Sequence, residues 1–342
     1  MRKTSFAVFS RLAVSGLLAC ACLSSCDDPD PDPFDAGVDA SVDASTDDLS
    51  EAVDLVGNTS DLAHRKDYVT FVAIGDTGKG NSGQKMVADA VANKCKKDGC
   101  DFIQLLGDNI YDSGVSSVTD PQWQTKFEIP YKDIALPFYA ALGNHDYGAN
   151  GAGTDFGKAK WEILYTAAST KWKMPANHYR FQVEHADFFV LDTNLMMFGK
   201  ELDTQKTSLE GWLKDSGTKW KFAFGHHPLK SNGPHGNAGM YDGVPLLGNH
   251  IKNFFEANVC GKVHFYFSGH DHSRQYLTET CSGTGLIVSG AGASTTELKG
   301  KNLFHFQMSA LGFVYVVLDG NTMRFQFYDA SGKLEDSYSK SK

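Results

Sequence analysis

Phe71-Val72-Ala73-Ile74-Gly75-Asp76-Thr77-Gly78 is an apolar run that stops at a glycine and then presents an acid. Four apolar residues in succession suit a strand buried on both faces, and the glycine lets the chain turn sharply where the strand ends. The same arrangement recurs along the chain. Residues 102–106 lead into Gly107-Asp108-Asn109-Ile110-Tyr111, and residues 137–142 into Gly143-Asn144-His145-Asp146. Residues 222–224 lead into Gly225-His226-His227-Pro228, and residues 263–267 into Gly269-His270-Asp271-His272. Helical periodicity lies between these runs, over residues 84–96, at Leu209-Trp212-Leu213 and at Ile251-Phe254-Phe255. The alternation predicts α/β units. Towards the end, residues 286–289, 313–318 and 323–328 read as strands, the last two separated by the turn Asp319-Gly320-Asn321. They are expected to form antiparallel strands of a second sheet.

In α/β sheets, sites form beyond the carboxyl ends of the strands, so five clusters of polar residues in that position can converge on one crevice. A single Asp-x-x-Tyr or Gly-Asn-His is an ordinary loop in most proteins. Gly248-Asn249-His250 follows no buried run and precedes the amphipathic Ile251-Phe254-Phe255 pattern, so it reads as the start of a helix. Repetition of the strand–glycine–donor arrangement at five places points to metal binding. The donors are carboxylate, amide, phenol and imidazole without thiolate, a set suited to hard or borderline ions. Tyr111 narrows the metal further. A phenol has a pKa near 10 and becomes a good ligand only to a cation acidic enough to deprotonate it, as ferric iron is.

The ordered set GDTG, GDNIY, GNHD, GHHP and GHDH resembles the calcineurin-like metallophosphoesterases and, within them, the small, tartrate-resistant type of purple acid phosphatase. Many members carry Asp-x-His at the first cluster, where this chain has Gly78, and the lost imidazole is matched by the gain of Tyr111. The resemblance implies a four-layer αββα sandwich of two mixed β-sheets flanked by helices. It implies a binuclear centre in which Asp76, Asp108, Tyr111 and His272 hold Fe(III). Asp108, Asn144, His226 and His270 would hold a divalent Fe, Zn or Mn, with Asp108 bridging. His145 and His235 match family positions that bind phosphate, one of them serving as general acid, and His235→Ala is expected to alter the pH–rate profile between acid and neutral pH. Asp146 and Asp271 are expected to orient ligand histidines, and His227 to point away from them. Gly290–Gly292 lacks the Gly-Lys-Ser/Thr of a phosphate loop and reads as a strand-end turn.

Two metals about 4 Å apart can support in-line attack of a metal-bound hydroxide on a phosphate ester. The expected activity is hydrolysis of small phosphate monoesters with an acidic pH optimum. A phosphodiesterase or nucleotide-releasing enzyme on the same scaffold is the alternative, and a catalytically inactive surface binding protein is an alternative of another class.

The rest of the chain bounds where this would happen. Met1, Arg2, Lys3 and Arg11 precede an apolar run over residues 12–23, too short to span a bilayer, so residues 1–26 read as an export signal. Leu23-Ser24-Ser25-Cys26 also resembles a bacterial lipobox, which would attach the protein to a membrane through lipid. A periplasmic, cell-envelope or secreted bacterial protein is expected. Residues 27–66 form an acidic Asp- and Pro-rich linker, and residues 67–342 the phosphoesterase domain. The net charge of −9 belongs mainly to the linker region, because residues 55–342 hold 29 basic and 30 acidic side chains. That near-neutral body lacks the basic footprint of a nucleic-acid binder. A monomer is expected. Of the seven cysteines, Cys95, Cys100, Cys260 and Cys281 lie beyond the signal, and four cysteines allow three pairings. The tight turn Lys96-Lys97-Asp98-Gly99 favours Cys95–Cys100, and hence Cys260–Cys281.

Overall fold

The computed structural model describes residues 67–217 and 220–342, so the expected signal and acidic linker lie outside the described residues. One sheet is built on the parallel strands β1 (Tyr68–Ile74), β2 (Phe102–Leu106) and β3 (Phe138–Ala141), extended by the short β4 (Trp172–Lys173). A second holds β5 (Tyr179–Val183), β6 (Ala186–Val190), β7 (Trp220–Phe224), β8 (Phe265–Ser268), β9 (Arg274–Leu277), β10 (Gly285–Ser289) and β11 (Phe304–Met308). Its order is β11-β9-β10-β8-β7-β6-β5, with parallel pairs at its centre and antiparallel ones towards its edges.

The C-terminal strands differ from the sequence expectation. β12 (Gly312–Asp319), β13 (Thr322–Asp329) and β14 (Leu334–Ser341) do form an antiparallel meander, but they complete the first sheet, in the order β14-β13-β12-β1-β2-β3-β4. The strand over residues 285–289 joins the second sheet instead, parallel to β8. The physical reason is the edge of β1. Left unpaired, it would expose a row of backbone donors and acceptors, and the almost wholly buried β12 covers it.

The result is two mixed seven-stranded sheets, packed face to face and flanked by helices, as the resemblance implied. Phenylalanines fill the space between them. Phe71 on β1 lies 5.0 Å from Phe102 in its own sheet and 5.6–6.1 Å, ring centre to ring centre, from Phe188, Phe222, Phe224 and Phe267 in the other. Helix α1 (Ser82–Asp98) is capped by Asn81, whose side chain accepts from the Gln84 amide at 2.9 Å. It buries Val87, Ala88 and Val91 on the first sheet. Two short helices, α2 (Lys160–Tyr165) and α3 (Thr193–Met197), sit in the crossovers. On the outer face of the second sheet, α4 (Leu202–Ser216) contributes Leu209, and α5 (Asn249–Asn258) contributes Ile251, Phe254 and Phe255 to a second apolar cluster. His250 therefore starts a helix, as expected. No helix among the described residues is long and apolar enough to cross a membrane.

Both disulfides have the expected pairing, Cys95–Cys100 and Cys260–Cys281. Crosslinks that close longer loops restrict the unfolded chain more. The bridge spanning 21 residues should therefore contribute about 3 kcal/mol and the one spanning 5 about 2 kcal/mol. Guanidinium unfolding of the paired Cys→Ser variants measures both, and a larger loss from the shorter loop would contradict this ranking.

Candidate metal centre

β1, β2 and β3 of the first sheet and β7 and β8 of the second all end at the same crevice, and each delivers its polar cluster there. The turns that do so are conformationally costly. Asp76, Asp108 and His270 occupy left-handed backbone conformations, with φ of 58°, 53° and 70°. Each such non-glycine residue costs roughly 1–2 kcal/mol, a strain that collects at functional sites. Crowding explains the glycines beside them. A Cβ at Gly107 (φ 89°) would stand 2.6 Å from the ring of His226. One at Gly78 would lie 2.0 Å from the Asn109 carbonyl, so no larger side chain, an imidazole included, has room there on this backbone.

Seven side chains form two groups of donors. In one, the Tyr111 hydroxyl lies 3.1 Å from Asp76 Oδ1 and 3.0 Å from His272 Nε2, which is itself 3.5 Å from Asp76 Oδ1. In the other, His226 Nε2 stands 2.9 Å from Asn144 Oδ1, 3.1 Å from His270 Nδ1 and 3.4 Å from Asp108 Oδ2. Donor atoms of Asp108, His226 and His270 all lie within 4.8 Å of one another. Asp108 faces both groups, since its charge also bears on the Tyr111 phenol.

The donor set fits cations. His226 Nδ1 points at the Leu106 carbonyl, 2.9 Å away, and must carry the proton there. In neutral His226, Nε2 then has a lone pair aimed at the oxygens of Asn144 and Asp108. Lone pairs in a buried cluster repel one another unless a positive charge sits among them. The same demand shows in the acid–base behaviour. Burial opposes a charge on His226, but Asp108, with Asp76 and the Leu106 carbonyl, outweighs it and raises the imidazole to about 9. Burial alone would raise Asp108, yet His226 and His145 hold it far below the ordinary carboxylate range. Burial, then Asp108 and Asp76, push the Tyr111 phenol well above 10. A highly charged cation beside it would invert that preference.

Supporting contacts fix the ligands, and here several expectations are corrected. Asp146 orients no histidine. Its carboxylate accepts from the amides of Asn109 (2.9 Å), Ile110 (3.1 Å) and Gly143 (2.8 Å), locking two ligand turns together. Asp271 accepts from the His235 amide at 3.0 Å, so it holds that loop and no imidazole. An acidic residue next to a ligand can face backbone donors as readily as rings. The partners that sequence reasoning missed are the Leu106 carbonyl for His226 and Ser294, 2.9 Å from His272 Nδ1. His227 does not point away: its ring packs 4.5 Å from that of His270, and Nδ1 lies 3.0 Å from Thr193 Oγ1. Gly290–Gly292 is a turn after β10 that packs against Asp76 and Gly75.

His145 and His235 border the two donor groups. The His145 ring lies 4.3 Å from the Tyr111 ring, with Nδ1 2.7 Å from the Asp112 carbonyl and Nε2 4.0 Å from Asp108 Oδ2. His235 stacks on His270 at 4.0 Å and places Nδ1 2.8 Å from Asp242 Oδ1. Burial lowers the His235 pKa, but Asp242 and Asp271 raise it more, for a net value above 6.5. Asp242 lies in a loop without periodicity and carried no sequence signal.

Residues 69–274 match the calcineurin-like phosphoesterase family. The chain is 29% identical to purple acid phosphatase 4 of Arabidopsis thaliana over 306 residues, 80% of this chain and 84% of that protein. It is 31% identical to tartrate-resistant acid phosphatase type 5 of Sus scrofa over 306 residues, 77% of this chain and 84% of that protein. Among solved structures, GAP50, the anchor in the inner membrane complex of Plasmodium, superposes with a TM-score of 0.66 at 22% identity, over 80% of this chain and 89% of that one. A dimetal phosphatase from Danio rerio does so with 0.52 at 12% identity, over 80% and 98%.

Proposed function

We propose, from the premise that this chain belongs to the calcineurin-like phosphoesterase family and is an acid phosphatase of its purple type, that the crevice hydrolyses small phosphate monoesters in acid. Asp76, Asp108, Tyr111 and His272 would hold Fe(III). Asp108, Asn144, His226 and His270 would hold a divalent Fe, Zn or Mn. When bound, such a pair polarises the phosphoryl oxygens and lowers the pKa of coordinated water. The observation that carries the reading is the pair of donor groups facing one shared carboxylate, Asp108.

The chain's own residues supply the rest. His235 gives Nδ1–H to Asp242, which leaves Nε2–H to face the mouth and to protonate the departing alkoxide. His145 gives Nδ1–H to the Asp112 carbonyl and turns Nε2 towards the phosphate position. Export to the cell envelope and a monomeric state complete the proposal.

Metal analysis together with hydrolysis of p-nitrophenyl phosphate and of its bis ester tests the reading. Two metals per chain, a visible band from phenolate-to-iron charge transfer and a preference for the monoester are expected. Preference for the bis ester would move the assignment to a diesterase, and absence of both turnover and metal would overturn it. A sharper prediction concerns His235→Ala. Asp242 and Asp271 raise the His235 pKa above that of an ordinary imidazole, so the parent rate should fall as pH rises through it. The variant should lose this limb and about 10²-fold in kcat on alkyl phosphates. It should lose less on p-nitrophenyl phosphate, whose leaving group needs no proton. An unchanged pH–rate profile would remove His235 from the mechanism.

A further inference from the structure

Residues 148–151 form an unusual element. Gly148, Ala149, Asn150 and Gly151 have φ of 72°, 54°, 50° and 82°, a left-handed turn that only its two glycines adopt without cost. Its amides are tied down at both ends: Gly148 N donates to the His145 carbonyl at 2.9 Å and Asn150 N to Ser113 Oγ at 2.9 Å. The turn brings Gly151 against two site residues at once. Its carbonyl accepts from Asn144 Nδ2 at 2.8 Å, which directs Asn144 Oδ1 towards His226. A Cβ on Gly151 would stand 2.6 Å from His145 Cε1, 2.7 Å from Nε2 and 3.2 Å from Nδ1. The His145 ring is thus confined by the Gly151 backbone, by the Tyr111 ring and by the Asp112 carbonyl.

We propose that Gly151, held by the left-handed turn 148–151, is a positioning residue that fixes the imidazole of His145 at the phosphate position. The inference rests on the role given to His145 above. No side chain but hydrogen satisfies both demands at this position: a backbone in the left-handed region, and an imidazole in contact with its Cα. The turn is strained at Ala149 and Asn150, and its contacts with Asn144 and His145 are what that strain maintains.

Gly151→Ala tests this in the metal-replete enzyme, with Gly332→Ala as a matched substitution. Gly332, in the hairpin between β13 and β14, has a similar positive φ of 83°, and a Cβ there would meet nothing within 4 Å. The expected result is a fall in kcat of roughly 10- to 100-fold for Gly151→Ala, the scale of a small misplacement of a reacting group. Gly332→Ala should retain turnover within about twofold, since that hairpin holds neither His145 nor any of the seven donors. In a His145→Ala background, Gly151→Ala should cause no further loss, because the ring it displaces is gone. A readout independent of turnover is the nuclear magnetic resonance of His145 Cε1–H in metal-free protein. Its ring-current displacement by Tyr111 should disappear in Gly151→Ala and persist in Gly332→Ala. Equal losses from the two glycine variants, or additive losses with His145→Ala, would overturn the proposal. Full turnover of His145→Ala alone would instead show that the role of His145 fails, and the positioning role with it.

Discussion

Asp108→Asn should reduce phosphatase turnover at least about 10³-fold, more than loss of a supporting contact around a metal, which typically costs 10- to 100-fold. Asn keeps the shape of Asp and the oxygen that accepts from the His145 amide at 2.9 Å. It removes only the negative charge at a position that faces both donor groups. That charge matters in either direction. It is the largest of the influences that raise His226 to about 9, and it is the anion that two cations would share. The variant should therefore purify folded, with near-parental circular dichroism, while its metal content falls by one or both ions. Because Tyr111 belongs to the group completed by Asp108, the charge-transfer band should weaken together with turnover. Turnover within tenfold of the parent at full metal content would mean that the chemistry happens elsewhere.

The five donor turns could be read from the amino-acid sequence because each has a local signature. A buried strand ends, a glycine permits a close approach, and a donor follows. Gly107 against His226 shows that the glycines are dictated by neighbouring ligands as well as by turns. Features fixed by long-range packing were not legible. β12 and β13 read as strands, but β1, the strand that ties β12 into the first sheet, lies more than 200 residues earlier, and no local pattern names it. β5 carries Arg180 and Gln182, and β9 carries Arg274 and Gln275, so neither shows a continuous apolar run. Asp242, Ser294 and Gly151 act through loops, where contacts follow from backbone paths without periodicity. Asp146 and Asp271 were placed near the site correctly, but their carboxylates bind backbone amides, an outcome that residue type cannot distinguish from binding a ring.

Phe71→Ala should be the most destabilising single substitution proposed for this protein, at about 3–5 kcal/mol, the range for deleting a fully buried Phe. Phe71 is 0% exposed and sits midway along β1, which is paired on both sides, to β12 and to β2. Its ring meets Phe102 in its own sheet and four phenylalanines of the opposite sheet. Those neighbours stand on strands hydrogen-bonded into their own sheet, so they can collapse only partly into the space left behind. The cost should therefore approach the upper part of the range. Phe304→Ala, on the sheet edge and 48% exposed, is the comparison, with an expected loss below about 1 kcal/mol. Chemical unfolding of the two variants, with the denaturant dependence unchanged, measures the difference. Metal binding and turnover of Phe71→Ala should remain near parental well below its melting temperature, because the ring lies five residues before Asp76 and touches none of the seven donors. A loss below about 1.5 kcal/mol would mean that the two sheets do not depend on this cluster for their packing.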